Sequence, residues 1–179
     1  MKEAIDQQLL INVEFKVKDV LRYNMWVVFR GIANKVIMLL GVVLLGVYIY
    51  KMINRTVTLD IFITSHVLLL LVPVMIFLLI PWRTWKITLT QMQTPAFAFG
   101  VKYTFLLDKI ILDLGTTQDE MPWDLFIEIV ETKYDLRFFV DEVNAQLIPK
   151  HNLTKAQLEQ FKRIASQATE MGVCKFKEK

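Results

Sequence analysis

The sequence predicts an α+β membrane protein, in which a transmembrane hairpin of two helices is inserted into a small antiparallel sheet that a C-terminal amphipathic helix closes. Three patterns predict this fold: two neighbouring apolar stretches, an alternating strand pattern before them, and strand-like runs that lead to an amphipathic helix after them. We expect a leading strand and juxtamembrane helix at 1–31, the transmembrane hairpin at 32–82, and a soluble domain at 83–179.

The second apolar stretch is the clearer of the two. Residues 61–82 form 22 consecutive positions without a charged side chain. A helix of that length, at about 1.5 Å per residue, covers a hydrocarbon core of about 30 Å. The first stretch has 15 uncharged residues between Lys35 and Lys51. Both lysines can extend their ammonium groups toward the lipid headgroups, which lengthens this span to about 32–53.

The distribution of cations predicts which side of the membrane each segment faces. Residues 16–35, before the first span, hold five cations, at Lys16, Lys18, Arg22, Arg30 and Lys35. The second span is followed by Arg83, Lys86 and Lys102. The connecting loop carries only Lys51 and Arg55. Since cytoplasmic loops carry the excess of Lys and Arg, we expect both termini in the cytoplasm and a short loop outside.

Composition and charge disfavour several classes of protein. Residues 83–179 hold thirteen Lys or Arg and thirteen Asp or Glu, and this neutral balance disfavours nucleic-acid binding, which depends on cations that neutralise phosphates. Cys174 is the single cysteine, so no disulfide can form within the chain. Two histidines and one cysteine cannot assemble a structural zinc site. The six scattered glycines match neither a P-loop nor a dinucleotide-binding fingerprint. We therefore expect no enzyme activity and no cofactor.

The segments outside the apolar stretches alternate as strands do. In residues 10–17 every second side chain is apolar, from Ile11 to Val17, which predicts a half-buried strand. Asp19 is the expected N-cap of the helix that follows. An isolated strand cannot pair its backbone, so we expect residues 10–17 to join the C-terminal sheet. Further strands are expected at 86–92, 99–106, 110–114, 123–131, 134–141 and 145–148, the fourth and fifth as a hairpin.

The last predicted element is an amphipathic helix with a defined start. Thr154 and Gln157 have the spacing of a capping box, and Leu153 and Leu158 are placed to form the hydrophobic staple. One apolar stripe at helical spacing comprises Leu158, Phe161, Ala165, Ala168 and Met171. Gly172 is the expected end of this helix.

This order of parts, together with three segments, resembles the YcxB-like bacterial membrane proteins. The segments are Met-Pro-Trp-Asp-Leu-Phe-Ile-Glu-Ile-Val-Glu around Trp123, Leu-Ile-Pro-Lys-His-Asn-Leu-Thr at 147–154, and Leu-Glu-Gln-Phe at 158–161. The resemblance implies a pleckstrin-homology-like (PH-like) half-barrel closed by the C-terminal helix, and a bacterial inner membrane. It implies no activity. His151 departs from the pattern, in which a second basic residue is expected.

Four residues are candidates for functional sites. Phe126 and Phe139 fall on the nominally polar faces of their predicted strands, so with His151 they form a candidate interaction surface, unless the C-terminal helix covers the two rings. Trp123, which alternates with Leu125, Ile127 and Ile129, is expected in the core. His66 is a candidate polar site within the membrane, or else a residue near the outer headgroups. The adjacent acids Asp119-Glu120 and Asp141-Glu142 are expected in solvated turns.

These patterns favour an interaction module over an enzyme. We expect a membrane-tethered scaffold, regulatory subunit or immunity-type protein whose soluble domain docks a protein partner. The alternative is binding of a lipid or small ligand at the inner leaflet, which requires clustered cations. Formation of homo-oligomers is compatible with either function. A transporter ranks third, because two spans form no pathway alone.

Overall fold

The computed structural model describes residues 8–54 and 58–176, with all their side chains except those of residues 59, 62 and 65–70. The helices are α1 (Val17–Arg30), α2 (Ile32–Ile53), α3 (Leu59–Gln91), α4 (Pro95–Phe99) and α5 (Lys155–Ala168). The strands are β1 (Leu9–Val13), β2 (Val101–Phe105), β3 (Lys109–Asp113), β4 (Gln118–Pro122), β5 (Glu128–Glu131), β6 (Asp135–Phe139), β7 (Ala145–Pro149) and β8 (Cys174–Lys175). Two short 3-10 helices span Trp123–Leu125 and Lys150–Asn152. The chain forms two compact units, one of residues up to 20 with residues from 91 onward, and one of residues 21–90.

The first unit contains two four-stranded sheets. Their strand orders are β1-β2-β3-β4 and β7-β6-β5-β8, and every pairing is antiparallel except that of β5 with β8. Strand β1 pairs with β2 from Leu9 opposite Phe105 to Val13 opposite Val101. The predicted joining of the leading strand to the C-terminal sheet is therefore confirmed, although this strand ends at Val13.

The core of this unit lies between the sheets and α5. On β1, Leu9, Ile11 and Val13 are buried while the residues between them are exposed, as alternation predicts. Aromatic rings from three elements meet at the centre, where Phe105, Phe138 and Phe161 are all completely buried.

The second unit contains the apolar helices. Helix α2 has the predicted bounds of 32–53. Within the described residues, two segments are long and apolar enough to cross a membrane, Ile32–Ile53 and Leu71–Gln91, with mean hydropathies of 2.3 and 1.3. A Cβ atom added at Gly41 would lie 3.3 Å from the ring of Phe77, so this glycine allows α2 and α3 to approach closely.

The predicted strand at 86–92 is wrong, because α3 continues as a helix to Gln91. The β-branched residues of this segment favour a strand by composition, but the hydroxyl groups of its threonines form hydrogen bonds within the helix. Thr88 Oγ1 donates to Thr84 O at 2.9 Å, and Thr90 Oγ1 donates to Lys86 O at 3.2 Å. These bonds to the preceding turn are compatible with a helix. The hydroxyl group of Thr88 is therefore buried with a hydrogen-bond partner, which avoids the cost of burying it unpaired.

The predicted strand at 123–131 is only partly correct. Its first part is the 3-10 helix Trp123–Leu125, and pairing begins at Glu128. The adjacent acids at 119 and 120 do not lie in a turn, since they belong to β4, which pairs with β3 along the edge of the sheet. Glu120 there forms an ion pair with Lys109 at 2.7 Å. The side chains of β4 are exposed except for that of Met121, which is half-buried, so this strand carries no alternating apolar pattern.

The second pair of acids does lie in a turn, as predicted. The carboxylate of Asp141 accepts bonds from the side chain of Asn144 and from the backbone N–H groups of Asn144 and Val143. These bonds favour the ionised form, so they lower the pKa of Asp141. Asp19, by contrast, is not the N-cap of α1. It lies in the first turn, where its carboxylate accepts the backbone N–H of Lys16 at 3.1 Å.

The predicted start of α5 is confirmed and its predicted end is not. Thr154 and Gln157 form the reciprocal capping box, and Leu153 and Leu158 both pack on the core. The helix ends at Ala168, because Thr169 has an extended backbone and its hydroxyl donates to Ala165 O.

Replacing Thr154 with alanine should lower the free energy of unfolding by about 1 kcal/mol, because the N–H of Gln157 loses its capping acceptor. Denaturation of the full chain in mild detergent would measure this change. Thr116, which is exposed in the turn after β3, is the matched control. An equal loss in Thr116→Ala would contradict the capping role.

Candidate docking cleft

A cleft lies between the 3-10 helix Trp123–Leu125 and the end of α5. Its volume is about 260 Å³, and its lining residues are Trp123, Asp124, Phe126, Ala168, Thr169, Glu170 and Val173. Trp123 is almost fully buried, and its indole Nε1 donates to Leu106 O at 2.9 Å. Phe126 packs edge-on against Phe138, with the ring centroids 5.5 Å apart. The aromatic floor of the cleft is therefore fixed by the core beneath it.

An apolar rim of three residues adjoins the cleft. Leu125 is 44% exposed, Ile127 is 58% exposed, and Met171 is fully exposed. Each is the chain neighbour of at least one lining residue. Single exposed apolar side chains are ordinary on a protein surface, but three that neighbour the lining residues of one cleft are a candidate contact surface.

The 3-10 helix explains why this rim differs from the sequence prediction. With three residues per turn, Trp123 and Phe126 fall on the same side and point into the core. The alternation predicted for a strand would instead have buried Leu125 and Ile127. The i, i+3 spacing of the two aromatic residues and the proline at 122 were the available signals of this local helix.

The charge of the cleft is negative. Asp124 and Glu170 lie at its wall and are both exposed. Among the described residues that line the cleft there is no Lys, Arg or His. Glu128, at the start of the neighbouring β5, forms an ion pair with Lys175. The cleft therefore offers an apolar floor and two carboxylates to a ligand.

The hydroxyl and thiol near the cleft are not arranged for covalent catalysis. Thr169 Oγ1 donates to Ala165 O at 2.8 Å and lies 3.3 Å from Cys174 Sγ. Burial raises the pKa of the Cys174 thiol, so little of it is thiolate at neutral pH, and the thiolate is the reactive form.

The exposed aromatic pair predicted from the sequence is wrong. Phe126 and Phe139 are both 3% exposed. Phe126 is buried because of the 3-10 helix, and Phe139 is buried because β6 lies between β5 and β7 and has both faces covered. Trp123 lies in the core, as predicted.

The two histidines have different positions. His151 lies in the 3-10 helix Lys150–Asn152, and its Nε2 is 2.8 Å from Oδ2 of the buried Asp19. Asn152 and Glu14 exchange two hydrogen bonds beside this pair. His151 thus joins the β7–α5 connection to the first turn of α1, and the cleft does not include it. His66 lies in α3, but its side chain is outside the described residues.

Several cations of the first unit are committed to carboxylates. Glu131 accepts from Lys150 at 2.6 Å and from Lys162 at 2.9 Å. Asp135 binds Arg137 at 2.8 Å. In the described part of the chain no group of three or more His, Cys, Asp or Glu could hold a metal ion.

The fold defines a mixed α+β protein with two helices that are long and apolar enough to cross a membrane. Residues 105–165, which run from the end of β2 to the last turn of α5, match the family model described as YcxB-like protein. The predicted resemblance is therefore confirmed over this segment. No curated protein and no solved structure matches the chain.

Proposed function

We propose that this protein is anchored in a bacterial inner membrane by α2 and α3, and that its first unit is a cytoplasmic PH-like half-barrel that docks a protein partner in the cleft. Scaffold, regulatory and immunity-type roles all share this mechanism. The observation that carries the docking proposal is the apolar rim of Leu125, Ile127 and Met171 beside an acidic cleft.

Exposure of the apolar helices supports the membrane part of the proposal. In α2, Gly41 and Tyr48 are buried, while most of its Leu, Ile and Val side chains are exposed. A core helix of a soluble protein would be mostly buried, and a surface this apolar requires a lipid or protein environment. Among the described residues, seven strands pair in antiparallel fashion within two sheets, and the helix that follows them packs on their core, which supports a PH-like half-barrel.

Cysteine labelling tests the proposed topology. The native thiol is a poor probe, because it is half-buried and its pKa is raised. In a Cys174→Ser background, a membrane-impermeant maleimide should label Asn54→Cys in intact cells, since Asn54 follows α2 in the proposed outer loop. Met171→Cys, which is fully exposed on the cytoplasmic unit, should be labelled only after permeabilisation. Labelling of Met171→Cys in intact cells would place this unit outside and contradict the proposal.

The chemistry of the cleft defines the kind of partner. An apolar side chain of the partner would pack against Trp123 and Phe126, and a Lys or Arg beside it would approach Asp124 and Glu170. Aromatic residues in well-packed pockets dominate binding energy at protein interfaces, while charges on the rim contribute to orientation. We therefore expect a segment that combines an apolar anchor with basic residues.

A photo-cross-linking amino acid at Met171 tests this docking site in native membranes. It should give one discrete partner adduct, and Ile127→Glu should reduce the adduct by about tenfold or more, because a charge on the rim opposes an apolar contact. Leu10→Glu is the matched control, since Leu10 is similarly exposed on β1 and does not line the cleft. An adduct that survives Ile127→Glu, or that Leu10→Glu reduces equally, would contradict docking at the cleft.

Binding of lipid headgroups by the first unit is the alternative function and has less support. Phosphate recognition needs clustered cations, whereas Lys150 and Lys162 share the carboxylate of Glu131 and Arg137 is held by Asp135.

A further inference from the structure

A second concave surface lies within the unit of residues 21–90, between α1 and α3. This groove has a volume of about 430 Å³, and its lining residues are Leu21, Met25, Leu78, Pro81, Trp82 and Trp85. All six are apolar or aromatic. The volume falls within the range of roughly 300–1,000 Å³ that ligand sites occupy.

A hydrogen bond between two side chains joins α1 and α3 next to the groove. Asn24 Nδ2 donates to Thr88 Oγ1 at 2.9 Å, which fixes α1 against α3. Thr84 and Thr88 are both buried at this face. Trp82 is 59% exposed and Trp85 is 40% exposed. The two indoles therefore form an open wall rather than part of a closed core.

The chain segments on either side of the groove are cationic. Residues 21–35 and 83–90 contain Arg22, Arg30, Lys35, Arg83 and Lys86 and no acidic residue. Two of these cations follow the tryptophans directly, Arg83 after Trp82 and Lys86 after Trp85. The ammonium group of Lys86 lies 5.4 Å from the centre of the Trp82 ring, within the distance of a cation–π interaction. The rim therefore attracts anions beside an apolar floor.

We propose that this groove binds one acyl chain of an anionic phospholipid, whose phosphate lies beside Arg83 and Lys86. The inference rests on the proposed membrane anchoring, and it is independent of the docking cleft. Tryptophan and Lys or Arg together are typical of the level at which acyl chains meet headgroups. A second copy of the chain is a poorer occupant, because it would bring two cationic rims together without an acidic partner.

Native mass spectrometry of the full chain from mixed phosphatidylglycerol and phosphatidylcholine bilayers tests the proposal. The protein should retain phosphatidylglycerol in preference to phosphatidylcholine, and Arg83→Gln with Lys86→Gln should reduce that preference by about tenfold. Met25→Trp, which fills the groove, should remove the retained lipid. Lys35→Gln and Leu39→Trp are the matched controls, since both residues are exposed on α2 and neither lines the groove.

A measurement on the protein without substitutions tests the proposal even if the variants fail to fold. Phosphatidylglycerol with brominated acyl chains should quench tryptophan fluorescence more than the phosphatidylcholine analogue does at the same mole fraction. Equal quenching by the two lipids, or equal lipid loss in Met25→Trp and Leu39→Trp, would overturn the proposal. A dimer that Met25→Trp dissociates would also overturn it, because the occupant would then be a second copy. Extraction of the protein by alkaline carbonate would instead refute membrane anchoring itself.

Discussion

Replacing Phe161 with alanine should lower the free energy of unfolding by about 3–5 kcal/mol, the usual cost of removing a large aromatic side chain from a core. Phe161 is completely buried on α5. Its ring lies edge-on to those of Phe105 and Phe138, with centroid distances of 5.2 and 5.4 Å. Its ring centroid also lies 6.0 Å from that of Phe176. Phe105 and Phe138 belong to different sheets. The cavity left by the missing ring of Phe161 would therefore weaken the contact of α5 with both sheets.

Denaturant-dependent proteolysis of the full chain in mild detergent would measure this loss. Phe99→Ala is the matched control, because the same atoms are removed from a side chain that is 86% exposed. We expect this control to retain nearly all of the stability. A change below about 1 kcal/mol in Phe161→Ala would show that α5 does not hold the two sheets together.

The features that the sequence predicts best depend on neighbouring residues alone. The bounds of α2 follow from an apolar run between charged residues, and the start of α5 follows from a Thr and a Gln three positions apart. Both signals are complete within a few turns of helix. Alternation in β1 is equally local, and the lack of any other partner for that strand was enough to place it in the C-terminal sheet.

The position of Phe126 was mispredicted because residues 123–125 form a 3-10 helix rather than part of a strand. In a strand, residues 123, 125 and 127 would face the core. In the 3-10 helix, residues 123 and 126 face the core instead. Burial of Phe126 and exposure of Ile127 follow from that one change. Apolar residues alone cannot specify the period over so short a segment.

Contacts between distant residues had no sequence signal. Asp19 and His151 are 132 positions apart, and neither has a neighbour that indicates the other. The acidic strand β4 was missed because its position at the sheet edge, rather than its own composition, makes it a strand. Tertiary context decides such elements.

Arg137→Met should be the second severely destabilising change, with a loss of about 3–5 kcal/mol, because it leaves a buried carboxylate without its cation. The side chain of Arg137 is 7% exposed and that of Asp135 is completely buried, and Arg137 Nε donates to Asp135 Oδ1 at 2.8 Å. Thr132 Oγ1 also donates to this carboxylate at 2.6 Å. One hydrogen bond from a neutral hydroxyl does not replace the positive charge of the guanidinium group. Both residues alternate with apolar neighbours on β6, a pattern that usually places such side chains on a solvated face, whereas every residue of β6 is buried.

A double variant distinguishes loss of charge pairing from loss of packing. Asp135→Asn with Arg137→Met should be more stable than Arg137→Met alone, because the neutral amide no longer needs a buried cation. Lys109→Met is the matched control, since it removes a cation from the exposed pair with Glu120 and should leave stability almost unchanged. If the double variant were no more stable than Arg137→Met, the methylene groups of Arg137 would account for the loss, and the ion pair would contribute nothing to the stability of β6.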